Sequence, residues 1–274
     1  MNEVEQHYTH GQLEQCILRA LERAGKDSEN LSLDDLAPID EFHIRGRAAT
    51  RELAQAISLD RGMDVLDIGC GLGGPSRHLA AEYGCRFVGL DLTEEYCRVA
   101  EALTARLGLQ GLVSFRRGDA LKLPYEHSSF DVVWTQHASM NIGDKVQLYG
   151  EMYRTLKPGG HLAIYDILAG SGAELYFPVP WAREPSISFL PTADELHGLL
   201  RDTGFDIISW QDTTVLGLSW FATMAERIRR EGRLALGYHI LLGGDFPVMA
   251  RNQMRNLDEG RIVLMQVVAR RPAQ

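Results

Sequence analysis

The chain has 274 residues, of which 45% are hydrophobic, and a formal net charge of -9 from 37 acidic against 28 basic side chains. That is enough apolar material for one sizeable core, and the acidic balance speaks against a broad nucleic-acid surface. Four cysteines, at 16, 70, 85 and 97, form no C-x-x-C pair and no ligand cluster with histidine, so neither a disulfide scaffold nor a bound metal is expected.

The first segment, Met1 to Gln6, is acidic and polar, and no apolar run reaches the ~20 residues that span a bilayer, so a cytoplasmic protein without a membrane span is expected. Leu13, Ile17, Leu18 and Leu21 recur at helical spacing within residues 11–24, and Arg47 to Ile57 repeats the pattern. Between them, Leu31 to Pro38 reads as a helix start that the proline stops. Together these make an N-terminal helical cap over residues 1–59. The segment Asp40 to Gly46 leads from the cap into the rest of the chain, residues 60–274.

Val65-Leu66-Asp67-Ile68-Gly69-Cys70-Gly71-Leu72-Gly73-Gly74-Pro75-Ser76 reads as a buried strand ending in a carboxylate, then a glycine hinge, then a helix start. Glycines 69 and 71 allow a tight turn and close approach of a ligand, and Pro75 suits a first helical turn. The match to G-x-G-x-x-G at Gly69, Gly71 and Gly74 also fits a dinucleotide-binding dehydrogenase, which makes a nucleotide-dependent oxidoreductase the first alternative. Asp67 separates the two readings. A pyrophosphate docks on such a turn because N–H groups and the helix dipole favour anions, and a carboxylate beside it repels that anion while attracting an ammonium. An adenosine with a cationic amino acid tail, S-adenosylmethionine, fits better than NAD.

Arg86 to Leu92 is a second apolar strand with Asp91 at its end, about 20 residues beyond the glycine turn, the spacing of an acid that binds ribose hydroxyls. Val113 to Ala120 ends at Asp119, placed for the adenine amino group, and Phe130 to His137 is a fourth strand with Trp134 in its interior. Lys157-Pro158-Gly159-Gly160 is a turn feeding a fifth strand, His161 to Ile167. The acids thus fall at strand C-terminal ends, where open α/β sheets bind ligands. Thr192 to Asp202 reads as a helix with Thr192 as N-cap, Glu195 completing a capping box and Gly204 near the end. Strands follow at Phe205 to Trp210 and Ile262 to Ala269.

This ordered set of motifs resembles that of class I S-adenosylmethionine-dependent methyltransferases, and within them the small-molecule group of the ubiquinone/menaquinone, sterol, tocopherol and sarcosine/dimethylglycine enzymes. Val65 to Gly73, Asp91, Gly118-Asp119-Ala120, Leu123-Pro124 with Phe130-Asp131, and Leu156 to Gly160 carry it. The resemblance implies a Rossmann-like α/β fold with a seven-stranded, mostly parallel sheet flanked by helices. It implies a cofactor site at Asp67, Gly69, Gly71, Asp91, Asp119 and Gln136, with Cys70, Leu92 and Ala120 beside them. In relatives the segment matching residues 40–46 folds over the cofactor, which makes His43 and Arg45 candidates for its carboxylate; the alternative is that His43 packs and Arg45 is solvated. Several relatives have a histidine a few residues after the fourth strand. The run here is Gln136-His137-Ala138-Ser139-Met140-Asn141, and His137 is the candidate base for the acceptor, the alternative being a ring that bonds a loop carbonyl.

Two long connections, at about 170–191 and 213–260, read as lids, the second partly helical around Trp220 to Arg230 and Phe246 to Leu257. Arg227-Ile228-Arg229-Arg230 within it reads as a solvated helix face. Tyr176, Phe177, Trp181, Trp220 and Phe221 in these lids are candidates for an apolar or cation-binding substrate wall, or else for packing. The expected function is in-line methyl transfer to a small-molecule acceptor at N, O or C. A non-catalytic cofactor-binding module is the alternative from a different class.

Overall fold

Short apolar runs alternating with helices build one sheet. The computed structural model describes residues 3–9, 11–171, 173–232 and 235–273. In chain order come α1 (Glu3–Tyr8), α2 (Leu13–Arg23), α3 (Leu33–Asp40), α4 (Arg47–Ala56), β1 (Asp64–Ile68), α5 (Gly74–Tyr83), β2 (Arg86–Asp91), α6 (Glu94–Arg106), β3 (Val113–Arg117) and β4 (Phe130–Gln136). The second half adds α7 (Lys145–Thr155), β5 (Leu156–Ala169), α8 (Ala193–Thr203), β6 (Asp206–Asp212), α9 (Thr214–Glu231), α10 (His239–Leu242), α11 (Phe246–Asp258) and β7 (Ile262–Arg270). Short 3-10 turns lie at Ser139–Asn141, Pro185–Ile187 and Gly243–Asp245.

The sheet order is β3-β2-β1-β4-β5-β7-β6. Strands β1 to β5 pair in parallel, while β7 runs antiparallel to both β5 and β6. The strand order reverses between β1 and β4, so the crevice above their C-terminal ends is where an open α/β sheet takes a ligand. The inner strands are mostly apolar because both faces are covered: Val65, Leu66, Val133 and Ile164 are all fully buried. Among the described residues no helix is long and apolar enough to cross a membrane.

Two local readings are corrected. Pro38 does not stop α3, which continues to Asp40. A proline at this point forfeits one intrahelical bond, but the capping box of Ser32 with Asp35 holds the first turn and the fully buried Leu36 and Ile39 anchor the rest. Lys157 to Gly160 lies within β5 rather than ahead of it: the register with β4 jumps between the pairs Phe130–Leu156 and Val132–His161, and the bulged residues bond to Arg271 instead. By contrast α8 carries the expected capping box and ends on Gly204 in the left-handed conformation.

The N-terminal helices share a core with α6 and the second lid. Leu13, Ile17, Leu36 and Ile39 pack with Val99 and Leu103 of α6 and with Leu241 and Met249. Helix α3 also presses its end on α5. A Cβ at Gly74 would sit 2.3 Å from the carbonyl oxygen of Asp40, so only glycine permits this approach. Gly74→Ala is therefore expected to destabilise the protein by about 1–3 kcal/mol. Gly150→Ala, inside α7 where nothing lies within 4 Å of the added carbon, is expected to stabilise it by roughly 0.5–1 kcal/mol. Denaturant melts of the two variants check both signs.

Candidate functional site

A cavity of about 340 Å3 opens over the C-terminal ends of β1, β2 and β4. Its floor is the turn from β1 to α5, where Gly69, Gly71 and Gly73 all have positive φ. The reasons for glycine differ along this turn. At Gly69 a Cβ would lie 2.2 Å from Cβ of Ala138, so that glycine makes room for the loop after β4; at Gly71 nothing lies within 4 Å, and the space is open.

Three acids from the strand ends line the cavity: Asp67, Asp91 and Asp119. Asp67 is 3% exposed, and its only side-chain donor among the described residues is Ser76 Oγ, at 2.5 Å from Oδ2. Burial, aided by the charges of Asp91 and Glu41 and opposed by the Ser76 bond, pushes its carboxyl up to about 7. Asp91 accepts from the N–H of Gly71 at 3.0 Å and of Thr93 at 2.8 Å, yet burial still holds its carboxyl above the usual range. Asp119 is exposed and accepts from Leu121 N–H at 2.9 Å. None of the three has an arginine or lysine partner among the described residues. The fourth acid of the lining, Asp40, is paired with Arg77 at 2.8 Å.

Gly69, Cys70, Gly71, Leu92, Ala120, Gln136, His137 and His43 all contribute to the same cavity. Gln136 is tied down, its Oε1 accepting from Trp134 Nε1 at 2.9 Å and Thr50 Oγ1 at 3.3 Å. His43 sits with Nε2 3.1 Å from both Gly46 O and Thr50 Oγ1. Burial, with Arg45 nearby, lowers its pKa to about 4, so the ring is neutral. Arg45 lies outside the lining. Its guanidinium pairs with Glu52 at 2.5 Å, one turn into α4, which explains why it is neither solvated nor at the cavity.

His137 has a φ of 48°, which turns the chain sharply out of β4. Its ring stacks on Tyr165, with centroids 5.0 Å apart, and its Nε2 has no hydrogen-bond partner among the described residues. Burial, with His43 beside it, holds its pKa well below the ordinary value. The loop that follows is pinned from behind. Asp166 accepts from Ser139 Oγ at 2.5 Å, and Lys145 Nζ donates to the carbonyls of Ser139 and Ile142. Sequence reasoning missed this device; its signal was a lone acid inside the apolar run of β5.

The lids supply the upper wall. Trp181, Trp220 and Phe221 line the cavity, but Tyr176 and Phe177 do not. Tyr176 is instead held between the guanidinium groups of Arg255 and Arg261, 3.7 and 4.0 Å from its ring centroid. These cations sit on α11 and just before β7, and their cation–π contacts draw the ring away from the cavity. Also unforeseen were Tyr8 from α1, Phe42, Tyr238, Phe246 and Gln253. Asn141 ties the loop after β4 to α1 and to the first lid, accepting from Tyr8 OH at 3.1 Å and donating to the carbonyls of Trp181 and Ile187. Among the described residues no group of three or more His, Cys, Asp or Glu is arranged to hold a metal ion.

The methyltransferase-domain family matches residues 66–164. The chain is 37% identical over 186 residues to the methyltransferase GfsG of Streptomyces halstedii, covering 66% of each. It spans between about a third and two thirds of the length of the first curated relatives it matches. The solved [4+2]-cyclase SpnF superposes with a TM-score of 0.69 at 23% identity, covering 96% of both chains. Phosphoethanolamine N-methyltransferase 2 of Haemonchus contortus, solved with S-adenosyl-L-methionine, gives 0.77 at 21% identity, covering 99% of this chain and 60% of that one. Identities this low speak to the fold alone.

The raised Asp67 has a consequence for stability. A carboxyl whose pKa rises from 3.8 to about 7 on folding keeps its proton longer in the folded state. Its contribution is complete below about pH 4 and is lost as pH climbs through about 7. Asp67→Asn, which keeps a neutral acceptor for Ser76, is expected to flatten the fall in stability between pH 5 and pH 8. Urea melts at the two pH values measure the difference; an unchanged slope counts against a protonated Asp67.

Proposed function

This chain belongs to the class I S-adenosylmethionine-dependent methyltransferases, and on that footing we propose that it methylates a small molecule held between the glycine turn and the aromatic lids. The observation that carries this reading is the row of strand-end carboxylates without a cationic partner, above all Asp67. A buried acid in that state is a poor neighbour for a pyrophosphate and a ready one for an ammonium. The donor set therefore fits S-adenosylmethionine. Asp67 would hold its amino acid end, Asp91 the ribose and Asp119 the adenine, with the open space at Gly71 admitting the nucleoside.

The bound donor supplies a methyl group already activated for displacement. The chain's own residues have to align the acceptor and exclude water. Below pH 7 the cationic ligand would draw the proton off Asp67, so binding is accompanied by proton loss there. Trp181, Trp220 and Phe221 would close over the acceptor, and the loop pinned by Asp166 and Lys145 would fix its depth. His137 offers a neutral ring nitrogen. With its pKa held low it accepts a hydrogen bond from the acceptor and orients the reacting atom, and is a weak base at best.

Calorimetry is expected to show S-adenosylmethionine binding and no NAD binding, with Asp91→Ala weakening the former by about 1.5–3 kcal/mol. Incubation with metabolite extract should yield S-adenosylhomocysteine and a product heavier by one methylene; cofactor binding without either sinks the enzymatic reading. His137→Ala is expected to lower kcat by roughly 10²-fold with cofactor affinity nearly unchanged. Because the ring is neutral throughout, wild-type kcat should show no limb near pH 6.5 that this variant abolishes.

A further inference from the structure

We propose that the acceptor is an uncharged, largely apolar molecule and that Gln253 is the residue that recognises its one neutral polar group, a hydroxyl or a carbonyl; the inference rests on the methyl-transfer reading of the cavity. Among the described residues no lysine or arginine lines the cavity, and its charged side chains are Asp40, Asp67, Asp91 and Asp119. Both lining histidines are held neutral, His43 at about 4 and His137 well below its ordinary value. A phosphate or carboxylate on the acceptor would be desolvated in a cavity whose described lining offers acids and no cation to receive it, which is costly. This sets the chain apart from the phosphoethanolamine enzyme whose fold it shares.

The wall on the lid side is apolar. Met140, Ile142, Trp181, Phe221 and Phe246 line it without one charged group, so an ammonium acceptor has no counter-ion there. The polar atoms that do approach are mostly spent. Tyr238 OH donates to Glu41 O, and the Asn141 carboxamide is bonded on both ends. The exceptions are His137 Nε2 and Tyr96 OH, from the end of β4 and from α6, and on the lid side Gln253. It lies on α11, one turn past Ala250 and two past Phe246, is 8% exposed and lines the cavity. Its polar neighbours on the helix are engaged: Asn252 donates to Pro178 O, and Asn256 bonds both backbone groups of Tyr176. The Gln253 carboxamide bonds to no described residue and opens onto the cavity, so it is free to bond a ligand there. It offers both a donor and an acceptor, which suits a hydroxyl or carbonyl on an otherwise apolar body.

The test uses the full chain loaded with S-adenosylhomocysteine and three probes that share one apolar body: geraniol, geranyl diphosphate with and without magnesium, and geranylamine. Quenching of tryptophan fluorescence reads their affinities. Geraniol is expected to bind at least tenfold more tightly than either charged probe. Gln253→Leu should weaken geraniol by about three- to tenfold, the worth of one neutral hydrogen bond. The affinity for S-adenosylhomocysteine should not change, which shows that the variant is folded, and Gln253→Asn should recover part of the loss. Tighter binding of the diphosphate or the amine, or a head-group preference that Gln253→Leu leaves intact, overturns the proposal. Methyl transfer does not enter these measurements. A chain with this head-group preference but no methylated product keeps the inference and loses the enzymatic reading, whereas a charged methylated product does the reverse.

Discussion

The ion pair of Arg77 and Asp40 is the constraint on which the rest of the structure depends. Both side chains are almost wholly out of water, at 0% and 3% exposure, with Nη2 2.8 Å from Oδ1. Arg77 also donates through Nη1 to Ala100 O and Thr104 Oγ1, so one guanidinium on α5 joins the end of α3 to the body of α6. Desolvating two such charges makes the pair a poor source of net stability, but an unpaired partner left in place would cost about 3–5 kcal/mol. The pair therefore specifies where the cap sits more than it stabilises it. Gly74 allows the close approach, and together they deliver residues 41–46, with Phe42 and His43, to the edge of the cavity.

From that placement follows the electrical character of the site. The turn from β1 to α5 is a natural anion site by its N–H groups, yet three carboxylates converge on it. Burial raises Asp67 and Asp91 above the usual range, and no cation among the described residues compensates them. The free protein stores an unfavourable arrangement that a cationic ligand would relieve. The opposite wall has no such tension. It is aromatic and aliphatic, and of the helices over it α9 buries little of its own surface, with one buried residue, Gly217, in 18. A well-packed base and a loosely packed lid are what a site needs if ligands are to enter and leave.

The fold does not decide the chemistry. A cyclase and a phosphoethanolamine methyltransferase superpose on this chain about equally well, so activity has to be argued from side chains. Here those are the unpaired acids on one side and the lids on the other. Tyr8 and Asn141 connect the two, since α1 lines the cavity while bonding to the loop after β4.

The glycine turn, the strand-end acids and the parallel core were legible in the sequence because each depends on neighbours close along the chain: a buried strand, a hinge and a helix start follow one another within a dozen residues. The capping box of α8 was legible for the same reason. Tertiary structure decided whatever required distant segments to meet. Arg45 was drawn to Glu52 and Tyr176 to Arg255 and Arg261, partners that no local pattern reveals. The short α1 carries too little periodicity to be seen, yet Val4 and Tyr8 reach the cavity because Asn141, 133 residues beyond Tyr8, receives the latter's hydroxyl. Gln253 reads as any polar residue on an amphipathic helix; only the packing of α11 over the crevice turns its carboxamide toward the space a ligand would fill. Local sequence determined which backbone forms and where charge sits along it, because those depend on φ preferences and burial periodicity; which side chains face one another depends on how the lids fold back, and that is settled by long-range packing.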